Sequence, residues 1–383
     1  MLRIYSAIGL CGLAIGMSLG PASAKDTKPI VLHSFNGRDG AQPDAGLIAD
    51  GAGNLYGTTA NGGGTNYGTV FKLAPDGMET VLYNFKGYHG GGDGAHPNAG
   101  LIADGAGNFY GTTTQGGNAD WGTVFKLAPD GTETVLYSFE AGSDGAEPIG
   151  GTLLGDGAGN LYGTAWTAGK NNNGTVFKLA LNGTFTVLYR FKGGDGAYPM
   201  GGLIADSAGN LYGTTQQGGA SGHGTVFKLA PDGTETVLRS FNVANGEYPE
   251  AGLIADGVGN LYGTTHQGGK SRHGIVFKLA PNGAFKVLHT FKGDADGKLP
   301  AAGLMVDGAG NLYGTTTQGG KWGNGTTFKL TPDGTEIVVS FRVRHGVYLS
   351  AGLIADGAGN LYGTALDGGK TNNGTVFEIP AQN

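Results

Sequence analysis

The chain has 383 residues, a formal charge of −6, 79 glycines, 14 prolines and one cysteine. With no Lys/Arg stripe and an acidic balance, nucleic acid and anionic membranes are excluded as expected partners. So much glycine and proline would mark a low-complexity chain if it were aperiodic, but here the glycines recur with a fixed period.

The first 24 residues read as a cleaved signal peptide: Arg3, an apolar run over 4–19, then Ala22-Ser23-Ala24. Sixteen apolar residues are too few for an ordinary membrane span, so no span is expected after cleavage. Cys11 lies inside this leader with Leu10 before it, which is not a lipoprotein cleavage site. The mature chain, residues 25–383, is expected to be a single thiol-free domain exported to the periplasm or beyond the cell.

After a lone β-type run, Ile30–Phe35, the sequence DGAGNLYGTT appears at 50–59 and returns in near-copies at 104–113, 156–165, 206–215, 256–265, 307–316 and 356–365. From Asn54 to Asn360 the marker asparagine advances in six steps averaging 51 residues, a period that suits propeller blades. Each unit holds four strand-like runs, represented by Ala45–Asp50, Leu55–Thr59, Thr69–Leu73 and Thr80–Phe85. Asp-Gly-Ala-Gly-Asn and Pro75-Asp76-Gly77 supply the tight turns between them. The recurrent aspartates, Asp50 to Asp356, are read as turn caps and not as a metal series.

The fourth runs end at Phe35, Phe85, Phe139, Phe191, Phe241, Phe291 and Phe341, so the first precedes any repeat and the last repeat lacks its own. That offset predicts an all-β, seven-bladed β-propeller of four-stranded blades, with Ile30–Phe35 completing the last blade. With the runs lettered a to d from the axis outward, the a–b and c–d turns share one face, and the b–c and d–a loops share the other.

All seven b–c loops have eight residues, yet their side chains differ, as expected of one backbone carrying different chemistry. They hold Tyr67, Trp121, Trp166, His223, His266, His273 and Trp322, which are the candidate ligand-binding residues. Tyr88, His89 and His96 join them from the d–a connection that is longer than the rest. The tryptophans read either as contact groups for a sugar ring or partner surface, or as covers packed on the glycine-rich backbone of a neighbouring blade. The histidines match no metal-ligand spacing and read as solvated loop residues, so no metal and no cofactor are expected. Residues following the d–a proline, among them Asp44, Asn98, Met200 and Glu250, are expected to ring the mouth of the central channel.

No GxSxG elbow, HExxH, Walker loop or cysteine nucleophile is present, and no catalytic residue is assigned. The repeat GLIADGAGNLYGTTxxGG…GTVFKL resembles that of the GloVer family, the choice-of-anchor proteins of bacteria, along the whole mature chain. The resemblance implies an exported, propeller-like surface or extracellular protein, often with a sorting anchor. This chain ends in Glu378-Ile-Pro-Ala-Gln-Asn383 without a hydrophobic tail, so a periplasmic or released protein is expected. The GNLYGTT segment is also similar to GNLY/GNLW strands of bacterial sensor propellers, which implies extracytoplasmic binding. The expected function is a monomeric, non-catalytic module that binds a glycan or a cell-surface protein through its b–c and d–a loops. The alternatives are a polysaccharide-acting propeller enzyme with acidic groups at the channel mouth, and a structural component of the cell envelope.

Overall fold

The structure, a computed structural model, describes residues 28–87, 92–149, 151–169 and 171–381. The expected leader, Tyr88 and His89 therefore lie outside the described residues. The described chain forms 28 strands arranged as seven four-stranded antiparallel sheets. Blade 1 contains β2 (Ile48–Ala49), β3 (Leu55–Thr59), β4 (Thr69–Leu73) and β5 (Glu79–Asn84), paired in that order from the axis outward. Blades 2 to 6 repeat the pattern through residue 340. Blade 7 takes three strands from the end of the chain, the last being β28 (Thr375–Ile379), and its outer strand is β1 (Ile30–Ser34). In this closing pair Ile30 lies opposite Glu378 and Ser34 opposite Thr375. Among the described residues no helix is long and apolar enough to cross a membrane.

The innermost run is shorter than its sequence implies, because of AGLIAD only Ile48 and Ala49 pair in the sheet. The cause is crowding at the axis, where the seven inner segments converge. A Cβ added to Gly201 would lie 2.6 Å from the backbone of Ala251 in the next blade, so the chain leaves the ladder to pass its neighbours.

Each residue of the repeated decapeptide has a physical task. Asp50 Oδ1 accepts the N–H groups of Ala52 and Asn54, while Oδ2 accepts the Asn54 amide at 2.7 Å and the Tyr56 hydroxyl at 2.9 Å. Burial alone would raise the Asp50 carboxyl, but these bonds outweigh it and hold the group below its ordinary range. Gly57 leaves room for Phe71, whose ring tip would lie 2.8 Å from any Cβ placed there. Thr58 Oγ1 donates to the carbonyl of Ala99 in the next blade. All seven blades make that threonine bridge, and the seventh, Thr364 to Ala45, closes the ring.

Apolar packing follows the same rule. Phe35, at the end of blade 7, meets Phe71 of blade 1 edge-on at 5.1 Å, and the other six junctions repeat this pair at 4.7–5.4 Å. Such pairs add about 0.5–1.5 kcal/mol each beyond the area they bury. The core is therefore seven clusters, each shared by two blades.

Outside the phenylalanine pairs, each junction has a rim slot formed by one residue on the outer strand of a blade, one in its d–a loop, and the first residue of the next outer strand. His33, Asp39 and Glu79 fill the slot between blades 7 and 1, and His289, Asp296 and Glu336 fill that between blades 5 and 6. Tyr83 and Tyr189 donate to Asp93 and Asp195, with Glu133 and Glu235 alongside. Where the glutamate is replaced, Tyr137 stacks on Phe185 at 3.7 Å, or the Arg239 guanidinium lies 4.2 Å from the Phe285 ring.

Removing residues 28–35 leaves Phe71 without its partner and β28 as a bare edge, so cooperative thermal unfolding should be lost; an unchanged calorimetric transition would contradict closure by β1. Burial, reinforced by Asp93 and Asp195 and opposed by Lys86 and Lys192, raises Glu133 and Glu235 to about 7. An unfolded glutamate titrates near ~4.3, so the folded state loses stability as pH rises from there, and the loss is complete above about 7. The variant combining Glu133→Gln and Glu235→Gln should therefore be more stable than the parent at pH 8, by on the order of 1 kcal/mol per site after discounting for partial exposure, and equal to it near pH 4. Paired denaturation curves at the two pH values measure this difference.

Candidate functional site

The b–c and d–a loops meet on one face and are tied together by main-chain bonds. Ala41 and Asn61 exchange both N–H···O bonds, and the equivalent bridge recurs in every blade. The next residue in each blade has a left-handed backbone: Gln42, His96, Glu147, Tyr198, Tyr248, Leu299 and Tyr348 all have φ between 53° and 59°. Bulky residues rarely adopt this conformation, at a cost of roughly 1–3 kcal/mol each. The hydrogen bonds that hold it are local and consistent. Tyr248 N–H donates to the carbonyl of His223 in the preceding blade, and its own carbonyl accepts from His266 in the same blade. The left-handed residue thus clasps two neighbouring b–c loops.

This frame places the expected ligand-binding residues in three different settings. Some serve as covers: the Tyr67 ring lies so close over Gly87 that a Cβ there would be 2.4 Å away, and His273 covers Gly293 at 2.6 Å. Trp166 is half-buried and tilted against Tyr198 at 5.5 Å, with its Nε1 buried and unbonded. Trp121 and Trp322 are 40% exposed. Arg342 lies 4.4 Å from the Trp322 ring, with Lys321 at 5.4 Å. The tryptophans stand on blades 2, 3 and 6, so Trp322 is separated from the other two by two blades in either direction. They do not form one aromatic surface.

Two of the histidines correct the solvated reading. His223 Nδ1 lies 2.9 Å from Glu247 Oε1, and His266 Nδ1 lies 3.4 Å from Glu250 Oε2. Their carboxylate partners come from the d–a loop that passes between the two b–c loops, a proximity invisible in local sequence. Glu250 also accepts from Gln216 Nε2 at 2.9 Å, so this channel-mouth carboxylate is engaged by two loops. His96 Nδ1 lies 2.9 Å from the carbonyl of Ala60.

Near blades 7, 1 and 2 the same face opens into a depression of about 380 Å³ lined by Gln42, Asp44, Asn61, His96, Asn98 and Gln115, among others. The Ser350 hydroxyl donates to Asp44 across the ring closure. Burial raises the Asp44 carboxyl, the Ser350 bond opposes the rise, and Asp367 adds to it. Met200 is half-buried at the equivalent position of blade 4. Gln42, Asn61 and Gln115 were missed by sequence reasoning. Gln42 is one of the left-handed residues and Asn61 and Gln115 are bridge partners, positions that only the pairing of loops reveals.

The fold is a closed seven-bladed propeller that carries its b–c and d–a loops on one face. The chain belongs to the Gloeobacter/Verrucomicrobia repeat family, whose model matches residues 19–209, 87–261 and 201–383. No curated protein matches the chain. Among solved structures it is similar to the extracellular domain of a hybrid two-component system from B. thetaiotaomicron, with 12% identity and a TM-score of 0.59, over 93% of this chain and 40% of that one. It is also similar to a protein described as a 6-phosphogluconolactonase from Bacteroides uniformis, with 17% identity and a TM-score of 0.54, over 84% of this chain and 89% of that one. The chain thus spans 40% of the length of the sensor domain, and at these identities the likeness is one of fold.

The left-handed clasp is testable at Tyr248. Tyr248→Val should lower stability by about 1–3 kcal/mol more than Tyr248→Asn, because asparagine tolerates this backbone and a β-branched residue does not. Equal melting temperatures for the two variants would show that the conformation carries no strain.

Proposed function

We propose that the protein is an exported, non-catalytic binding propeller whose b–c face takes a glycan in the depression at the channel mouth. The observation that carries this reading is the lining: amides from Gln42, Asn61, Asn98 and Gln115, the Asp44 carboxylate, and only Ala60 and Leu366 as apolar members. Such a wall offers many hydrogen bonds to hydroxyl groups and little apolar surface for a drug-like ligand. The exposed Trp121 lies outside this lining, at the far end of the b–c loop that supplies Thr114 and Gln115, and offers an aromatic face of the kind that packs on a sugar ring. Export is supported by the leader-like residues 1–24 and is in keeping with the extracellular sensor domains among the structural neighbours.

A second reading, a polysaccharide-acting enzyme, draws on Asp44, whose raised carboxyl lies in the same depression and suits general acid–base work. The two readings differ in what Asp44→Asn does. A binding module forms no product with any glycan it retains, whereas an enzyme forms product that is lost in the variant.

The test is an array of bacterial and host glycans probed with the purified chain. Selective binding is expected, weakened about tenfold or more by Asn98→Ala and by Trp121→Ala, with the melting temperature within a degree or so of the parent. A blank array, or binding indifferent to both substitutions, would move the assignment to a protein partner or to a structural role.

A further inference from the structure

The two histidine-bearing rim slots lie between the outer strands of neighbouring blades, each with its aspartate supplied by the d–a loop. In the slot between blades 5 and 6, His289 Nε2 stands 3.5 Å from Asp296 Oδ2 and 3.4 Å from Glu336 Oε1. In the slot between blades 7 and 1, His33 Nε2 stands 3.2 Å from Asp39 Oδ2, with Glu79 completing the set. In each slot the three donor atoms lie within 4.8 Å of one another. A tetrahedral zinc ion with bonds of about 2.0–2.2 Å has ligands spaced roughly 3.3–3.6 Å apart. The His33–Asp39, His289–Asp296 and His289–Glu336 separations fall within or just below that spacing, and the remaining pairs lie within 4.8 Å, close enough for an ion to draw the groups together.

The supporting contacts hold these groups in place. Asp39 Oδ1 accepts the Asn36 N–H at 2.8 Å and its Oδ2 accepts the Asn36 amide; the Asp296 carboxylate accepts the Lys292 N–H. Each imidazole packs edge-on against the phenylalanine two residues on, Phe35 or Phe291, with ring centroids 4.8 Å apart. The carboxylates are orientated from behind and the rings from the side, as in preorganised metal sites. Among the facing atoms, Glu79 Oε1, Glu336 Oε1 and His289 Nε2 are buried without a hydrogen-bond partner, while His33 Nε2 and Asp39 Oδ2 are bonded to each other. Two carboxylates and one imidazole carry an excess negative charge that a divalent cation would neutralise.

The chain supplies its own controls. Where tyrosine replaces histidine, in the slots of Tyr83 and Tyr189, the hydroxyl donates to the aspartate and the set loses its nitrogen ligand. Where phenylalanine replaces the glutamate, the slot is closed by ring stacking or by Arg239 over Phe285. The histidine slots alone combine a nitrogen with two carboxylates.

We propose that His33–Asp39–Glu79 and His289–Asp296–Glu336 are two zinc-class divalent cation sites that staple adjacent blades, each keeping its fourth position for water. The first joins β1, the outer strand of blade 7 that closes the ring, to the outer strand of blade 1, and so anchors the closing strand from its other side.

The experiment is calorimetric titration of the tag-free, chelator-treated chain with Zn²⁺, together with Co²⁺ absorption to read the coordination geometry. Two equivalents should bind, with strong d–d bands and a melting temperature that rises with Zn²⁺ and falls again with chelator. His33→Ala and His289→Ala should each remove one equivalent, and together both. Glu79→Gln and Glu336→Gln preserve side-chain shape and should do the same if the alanine variants fold poorly. Tyr83→His, which adds a nitrogen beside Asp93 and Glu133, should raise the count to three. No saturable binding, or binding unaffected by these substitutions, would overturn the proposal and leave the slots as plain histidine–carboxylate contacts.

Discussion

The edge-on contact between the closing phenylalanine of one blade and the third-strand phenylalanine of the next is the joint on which the molecule depends. A single blade buries only part of its apolar surface, and the rest is covered by its neighbour, so each of the seven clusters belongs to two blades. A chain of such units has a bare face at each end until the ends meet. The pairing of β1 with β28 and the bond from Thr364 to Ala45 satisfy that requirement together, one through the ladder and the other beside the axis.

Around this joint the two faces differ in how much they vary from blade to blade, and hydrogen bonding gives the reason. On the a–b side, one aspartate satisfies two backbone donors, an amide and a phenol, so replacing any member would strand a polar group. On the b–c side, the loops are held by backbone bonds and by the left-handed residues that clasp them, and those bonds do not depend on side-chain identity. Tyrosine, tryptophan, histidine and asparagine can therefore exchange at one loop position without loss of the frame. Variation there is chemistry added to a fixed scaffold.

The rim slots show the same logic in another place. Six equivalent positions carry four solutions to one problem, which is how to close the outer junction between blades. The residues change in sets: tyrosine with aspartate and glutamate, tyrosine or arginine with phenylalanine, histidine with two carboxylates. Because the backbone around them is common, a difference between slots reports side-chain chemistry directly.

Strand identity, blade count and ring closure were legible in the amino-acid sequence, because each rests on short-range signals. Strand-like runs and Asp/Asn/Gly turns are local patterns repeated seven times, and the one fourth run that stands before any repeat, Ile30–Phe35, shows in the same count. The length of the inner strand was not legible, since the crowding that frees Ala45–Leu47 from the sheet exists only when seven segments converge. The same is true of His223 beside Glu247, of Asp44 beside Ser350, and of His33 with Glu79. These partners lie on different loops, on outer strands of neighbouring blades or on opposite ends of the chain, and no spacing along one blade predicts them. Repetition determined the architecture; the meeting of neighbouring blades decided which side chains face one another, because that meeting is set by packing at the junctions.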